Sequence, residues 1–282
     1  MKKYIVILLI AVVSFILYGL VGSAIAYVRM AQARVTDSCN LKQLGMSIYS
    51  YAGDHHDYLP QGSHPHPATP LNQRLSWVVE LLPYIEQRPL YEKFELTEPW
   101  DSPTNLAAAQ TNLPTFICPA SRRAEMAPAC TGLPSSLTSS YWTSYVGVTG
   151  VGPNAAHLPK GDPRCGAFGY ERRVHLRDFR RGTSQTILVM ETSDQNGPWA
   201  CASLSTLRSV DPDIDPQVGP DAPFGRSHRP GWWLFRSSVH DDIRAEVLMG
   251  DGSTRTILPT MSAQTLAAAA ALAGNGELGD DW

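Results

Sequence analysis

Few groupings in this 282-residue chain have residue types and spacings that suit chemistry. Ten residues separate His240 from Asp251-Gly252, with Asp241 and Asp242 beside the histidine. On a functional reading, His240, Asp241, Asp242 and Asp251 gather at one end of a hairpin and hold a cation or a partner. On the plainer reading, Ala245 to Met249 and Thr254 to Leu258 are two strands, Asp251-Gly252 is a two-residue type I′ turn, and His240 only starts the first strand. The plainer reading is preferred, because Asp-Gly is a frequent short-hairpin signal and a single histidine beside it has no required chemistry.

A second grouping is acidic. Asp211, Asp213 and Asp215 alternate in DPDIDPQVGPD, with Asp221 following. They resemble the first ligands of an EF-hand loop, but Pro216 and Ala222 occupy the positions that need Gly and Glu, so the EF-hand itself is excluded. A weak calcium site in an irregular loop stays open beside a solvated acidic loop stiffened by prolines. His55-His56-Asp57 and His64-Pro65-His66 offer imidazoles without a third ligand at a recognisable spacing. The chain contains no His-Glu-x-x-His, Gly-x-Ser-x-Gly or phosphate-loop motif. No catalytic residues are therefore assigned and a non-enzymatic protein is expected, with no cofactor other than that calcium.

Five cysteines invite pairing if the body is exported. Cys118 with Cys130 and Cys165 with Cys201 are the candidate disulfides, which leaves Cys39 over; Cys39 with Cys118 is also open. Of the tryptophans, Trp77, Trp100 and Trp142 read as packing, and adjacent Trp232 and Trp233 point to opposite faces of a strand. The net charge of −3 argues against a nucleic-acid-binding surface spread over the whole chain.

The elements that must position these residues begin with an anchor. From Tyr4 to Val28 there is no charged residue, which as a helix spans roughly 37 Å, enough for a hydrocarbon core of ~30 Å. A cleaved signal peptide is the rival, with Ala24-Ile25-Ala26 as its site, but the apolar stretch is longer than a signal peptide needs. Both readings export the body. Beyond the run, Met30, Ala33, Leu41, Leu44, Ile48 and Tyr51 recur at helical steps, and Gly53 is placed to cap the end. This predicts a membrane anchor over 1–28, an amphipathic continuation over 29–53 and an extracytoplasmic head over 54–282, with the bilayer as partner of residues 4–28. Ser262 to Ala273 reads as a terminal helix that ends near Gly274.

Several blocks carry a resemblance. Asn40 to Pro60 (NLKQLGMSIYSYAGDHHDYLP), Ser76 to Trp100 with Asp101 to Asn105 after it, Phe116-Ile117-Cys118-Pro119-Ala120, Ser144 to Gly147, and Thr183 to Glu191 match in order. They resemble the bacterial domain-of-unknown-function family numbered 1559, whose members are pilin-like exported proteins. The stretch from Val239 to Ile257 is similar to that family's His-x9-Asp-Gly signature, here one residue longer. The chain shows neither the Gly-Phe junction nor the Glu that the family commonly has at the start of the apolar run, so conventional filament assembly is not expected.

The resemblance implies a pilin or pseudopilin plan. Strand-like pieces near Thr115 to Cys118, Ser144 to Val148, Thr186 to Met190, Ala245 to Met249 and Thr254 to Leu258 predict an α+β head, an antiparallel sheet with long loops packed on the first helix. The functional expectation is a non-enzymatic, membrane-anchored, pilin-like envelope protein with envelope proteins as partners. The alternative is an exported module, released by signal peptidase, that binds calcium, glycan or another solute through the acidic loop or the Trp232-Trp233 edge.

Overall fold

A computed structural model describes residues 2–66, 68–120, 141–219, 222–228, 242–273 and 278–282. Helix α1 runs unbroken from Lys2 to Asp54, which at 1.5 Å per residue is about 80 Å. Its first half is long and apolar enough to cross a membrane and is not buried by the rest of the chain. Beyond the apolar run, Asp37, Leu41, Leu44, Ile48, Tyr51 and Ala52 are buried. Steps of four and three residues put them on one stripe, the pattern that lays one helix face against a core. The helix does not end on Gly53. Ala52 O accepts from both His55 N and Asp57 N, and the left-handed residues that turn the chain away are His56 and Asp57. Three short helices follow, α2 (Trp77–Leu81), α3 (Arg88–Tyr91) and α4 (Leu106–Ala109).

The head is built on a six-stranded sheet: β1 (Tyr145–Val151), β2 (Ile187–Glu191), β3 (Leu207–Val210), β4 (Arg226–His228), β5 (Asp242–Met249) and β6 (Thr254–Ile257). The order is β3-β1-β2-β5-β4, with β6 also paired to β5. α+β describes it, but two expectations need correction. The sheet is mixed, because β3 pairs parallel to β1 after a long crossover. The segment Thr115 to Cys118 is not a strand: Pro114 opens a 3-10 turn, Pro114–Phe116, closed by Ile117 N to Pro114 O. Proline fixes φ near the helical value and donates nothing to a ladder, so this turn wins over strand pairing. The short strands β3 and β4 carry too little apolar alternation to be seen in sequence.

Both sheet faces are covered. Leu41, Leu44 and Ile48 of α1 pack with Trp77, Phe116, Tyr145, Leu188, Val189 and Leu248 on one face. Helix α5 (Ala263–Ala270) covers the other, where Leu266, Ala269 and Ala270 meet Val146, Val148, Ile187, Met190 and Val247. Ser262 caps α5 by accepting from Thr265 N at 3.2 Å, and the helix stops at Ala270, short of Gly274, which lies outside the described residues. With both faces buried, β1 and β2 read as nearly continuous apolar runs.

Candidate functional site

Asp37 occupies a position on the α1 stripe where the spacing calls for an apolar residue. It is fully buried and is the first buried residue of the helix beyond the apolar run. Burying a carboxylate is costly unless it is held by partners, and the tertiary structure brings such partners from three distant blocks. Tyr145, at the start of β1, donates its hydroxyl to Asp37 Oδ1. Tyr145 faces Glu191 across the β1–β2 ladder. Cys118, just after the 3-10 turn, closes the group: ligand atoms of Asp37, Cys118 and Glu191 all lie within 4.8 Å of one another, and all three residues are buried.

The surroundings are organised by backbone pairing. Asn40, one turn after Asp37, donates to Ile117 O at 3.1 Å, and Ser144 N donates to Phe116 O at 2.8 Å, so the Cys118 segment is tied both to α1 and to β1. Glu191 Oε2 accepts from Glu246 N at 3.3 Å, while Glu246 in turn accepts from the Thr256 hydroxyl at 2.7 Å. Burial, joined by the charges of Asp37, Cys118 and Glu191, pushes the Tyr145 phenol well above its ordinary value. Tyr145 is thus a fixed proton donor to Asp37. Chemically, the cluster is a water-excluded set of two carboxyls, a thiol and a phenol, able to clasp the helix to the sheet or to ligate a cation.

The Asp251-Gly252 end of the C-terminal motif forms the turn between β5 and β6. The β5–β6 connection is a three-residue loop: Gly252 N bonds Met249 O at 3.0 Å, Met249 N bonds Ser253 O at 2.8 Å, and Gly252 takes φ +82°. Asp251 stays outside the left-handed region, so the predicted two-residue type I′ turn is replaced by a turn followed by a glycine bulge. The loop is also tied to α1, because Tyr49 donates its hydroxyl to Gly250 O. Asp251 accepts from Ser253 N at 2.9 Å and from its hydroxyl at 2.6 Å. His240 and Asp241 lie outside the described residues.

The other candidates separate. Asp211 accepts from Asp213 N at 3.1 Å, Asp213 and Asp215 are exposed, and Asp221 lies outside the described residues. Buried Gln217 holds this loop from inside, donating to Asp211 O and Ile214 O. Among the described residues, the three-ligand convergence of His, Cys, Asp or Glu is Asp37, Cys118 and Glu191, and the acidic loop forms none. His64 pairs with Glu80, whereas His66 bonds the Thr69 hydroxyl at 2.7 Å, so the two imidazoles of His64-Pro65-His66 go to different partners. His55 stacks on Tyr51 with centroids 3.8 Å apart.

The cysteine expectations are corrected in part. Cys165 is a buried free thiol and the Cys201 thiol donates to Asn72 O at 3.3 Å, so the Cys165–Cys201 bridge is not formed. Cys39 is an exposed free thiol, which removes its pairing with Cys118. Cys130 and the Trp232-Trp233 pair lie outside the described residues. Trp77 and Trp100 are buried as packing residues, Trp77 donating to Thr206 O at 2.9 Å.

In the sequence, Cys118, Tyr145 and Glu191 fall in separate blocks that no local signal joins, and Asp37 belongs to none of those blocks. The available signal was a charged residue on an otherwise apolar helical stripe. No curated protein and no solved structure matches the chain. The family described as "Protein of unknown function (DUF1559)" matches residues 31–263, a span that contains every member of the buried cluster. The chain belongs to that family.

Proposed function

We propose that this member of the DUF1559 family is a non-enzymatic, single-pass envelope protein whose α+β head is displayed outside the cytoplasmic membrane in the manner of a pilin or pseudopilin. The observation that carries the reading is the continuity of α1. One rod supplies both the apolar segment and, through Leu41, Leu44 and Ile48, a buried wall of the head. Residues 29–36 between them add only about 12 Å of helix, so the head rides close to the bilayer on a stiff stalk rather than on a tether. Such coupling of anchor to fold suits assembly or display, where position relative to the membrane matters.

The test is membrane fractionation of the native protein with intact-mass measurement, followed by cross-linking in the membrane. A chain beginning at Met1 in the membrane fraction, cross-linked to itself or to other envelope proteins, is expected. A soluble chain beginning at Tyr27 would reject the anchor and transfer support to the released, ligand-binding module. That module's calcium version predicts a thermal shift in millimolar calcium, and no shift would count against it.

A further inference from the structure

We propose that Asp37, Cys118 and Glu191 form a buried site for a divalent transition cation of the zinc class. The three donor atoms lie mutually within 4.8 Å, in residues with no solvent exposure. Ligands at about 2.0–2.3 Å from a tetrahedral zinc sit roughly 3.3–3.8 Å from one another. Small side-chain rotations therefore suffice to close all three on one ion. The donor set decides the class of metal. Calcium and magnesium take all-oxygen shells of six or more ligands, whereas one thiolate with two carboxylates suits zinc and its neighbours in the first transition row. As the sulfur–metal bond forms, the Cys118 thiol gives up its proton to solvent.

Support around the donors fits the same reading. Metal-binding side chains are held in place by outer hydrogen bonds. Here the Tyr145 hydroxyl fixes Asp37 Oδ1, and the Glu246 N–H reaches Glu191 Oε2 at 3.3 Å. The ligands come from α1, from the segment after the 3-10 turn and from β2. An ion there would cross-link the anchor helix to the sheet, so its binding energy would add to the stability of the head on its stalk. This site is separate from the exposed aspartate loop and does not depend on the assembly reading.

The experiment uses the full chain in detergent, stripped of metal and then titrated with zinc or cobalt. Expected are one cobalt per chain with a cobalt–thiolate charge-transfer band, retained in Cys165→Ser and lost in Cys118→Ser. A zinc-dependent rise in thermal midpoint is also expected, requiring at least about 10-fold more zinc in Glu191→Gln. Should Cys118→Ser fail to fold, zinc X-ray absorption on the wild-type chain decides: a single sulfur among oxygen ligands is expected. No charge-transfer band and no thermal shift in the wild type, a band that survives Cys118→Ser, or a shell of several sulfurs would each overturn the proposal.

Discussion

The Tyr145 hydroxyl donates to the Asp37 carboxylate across 108 residues of sequence, joining the first buried turn of α1 beyond its apolar run to the first strand of the head. Removing that donor leaves a buried acceptor short of a partner, which costs about 1–3 kcal/mol. Tyr145→Phe is therefore expected to lower the thermal midpoint measurably. Tyr84→Phe, which removes an exposed 3.0 Å bond to Asp54, should cost less than about 0.5 kcal/mol. Equal losses in thermal denaturation would show that the Asp37 contact is not a special clasp.

The hairpin under α1 separates backbone strain from side-chain crowding. A Cβ on Gly252 would meet nothing closer than Tyr49 Cε2 at 3.8 Å, so Gly252→Ala is disfavoured by its φ of +82° alone, at about 1–2 kcal/mol. A Cβ on Gly45 would lie 2.9 Å from Leu248 Cδ1 in the fully buried core. Gly45→Val should cost about 1–3 kcal/mol by overpacking the helix against β5. Chemical denaturation of both variants checks this, and a neutral Gly45→Val would mean that α1 does not seat there.

Arg172 is buried and donates to five carbonyls: Ala155 O at 3.2 Å, Leu158 O at 2.7 Å, Thr149 O at 3.0 Å, Gly166 O at 3.2 Å and Phe168 O. Desolvation lowers its affinity for the proton, yet it stays charged. Arg172→Met strands several of these acceptors and is expected to destabilise the head by at least about 3 kcal/mol. Arg172→Lys should rescue little, because an ammonium cannot fork to carbonyls on different segments. Urea midpoints for the two variants would differ widely if that account failed.

Asp178 predicts a pH dependence. Burial tends to raise its carboxyl, but the Lys160 ammonium at 2.6 Å and the His175 N–H at 2.8 Å outweigh it and hold the group below the usual carboxylate range. A carboxyl depressed in the folded state contributes stability above the unfolded value near 4, and that contribution disappears as pH falls through the lower folded value. Lys160 is about half exposed and the pair is open to solvent on that side, so the effect is below about 1 kcal/mol. Asp178→Asn should be less stable than wild type at neutral pH, and the gap in thermal midpoint should close in acid. A gap that persists there would rule out the ion pair as its source.

What was legible in the sequence was whatever repeats locally. The absence of charge from Tyr4 to Val28 fixed a span length, and the 3- and 4-residue steps from Leu41 to Tyr51 carried the helix into the core. Strand-forming runs located β1, β2, β5 and β6, and Asp251-Gly252 marked a hairpin. Each of these follows from backbone period or turn preference, properties of residues close in sequence.

Tertiary structure alone decided the rest. Parallel pairing of β3 with β1 depends on a crossover of more than fifty residues, which no local signal encodes. The β5–β6 loop is tied to α1 by Tyr49 reaching Gly250 O, a contact between elements about 200 residues apart. Cys165 remains reduced because packing, not composition, determines which thiols meet. Asp37, Cys118, Tyr145 and Glu191 are separated in sequence and form a cluster only where helix, turn and sheet close on one another. Periodicity names the buried face of each element; the contacts between faces arise from the packing of all of them together.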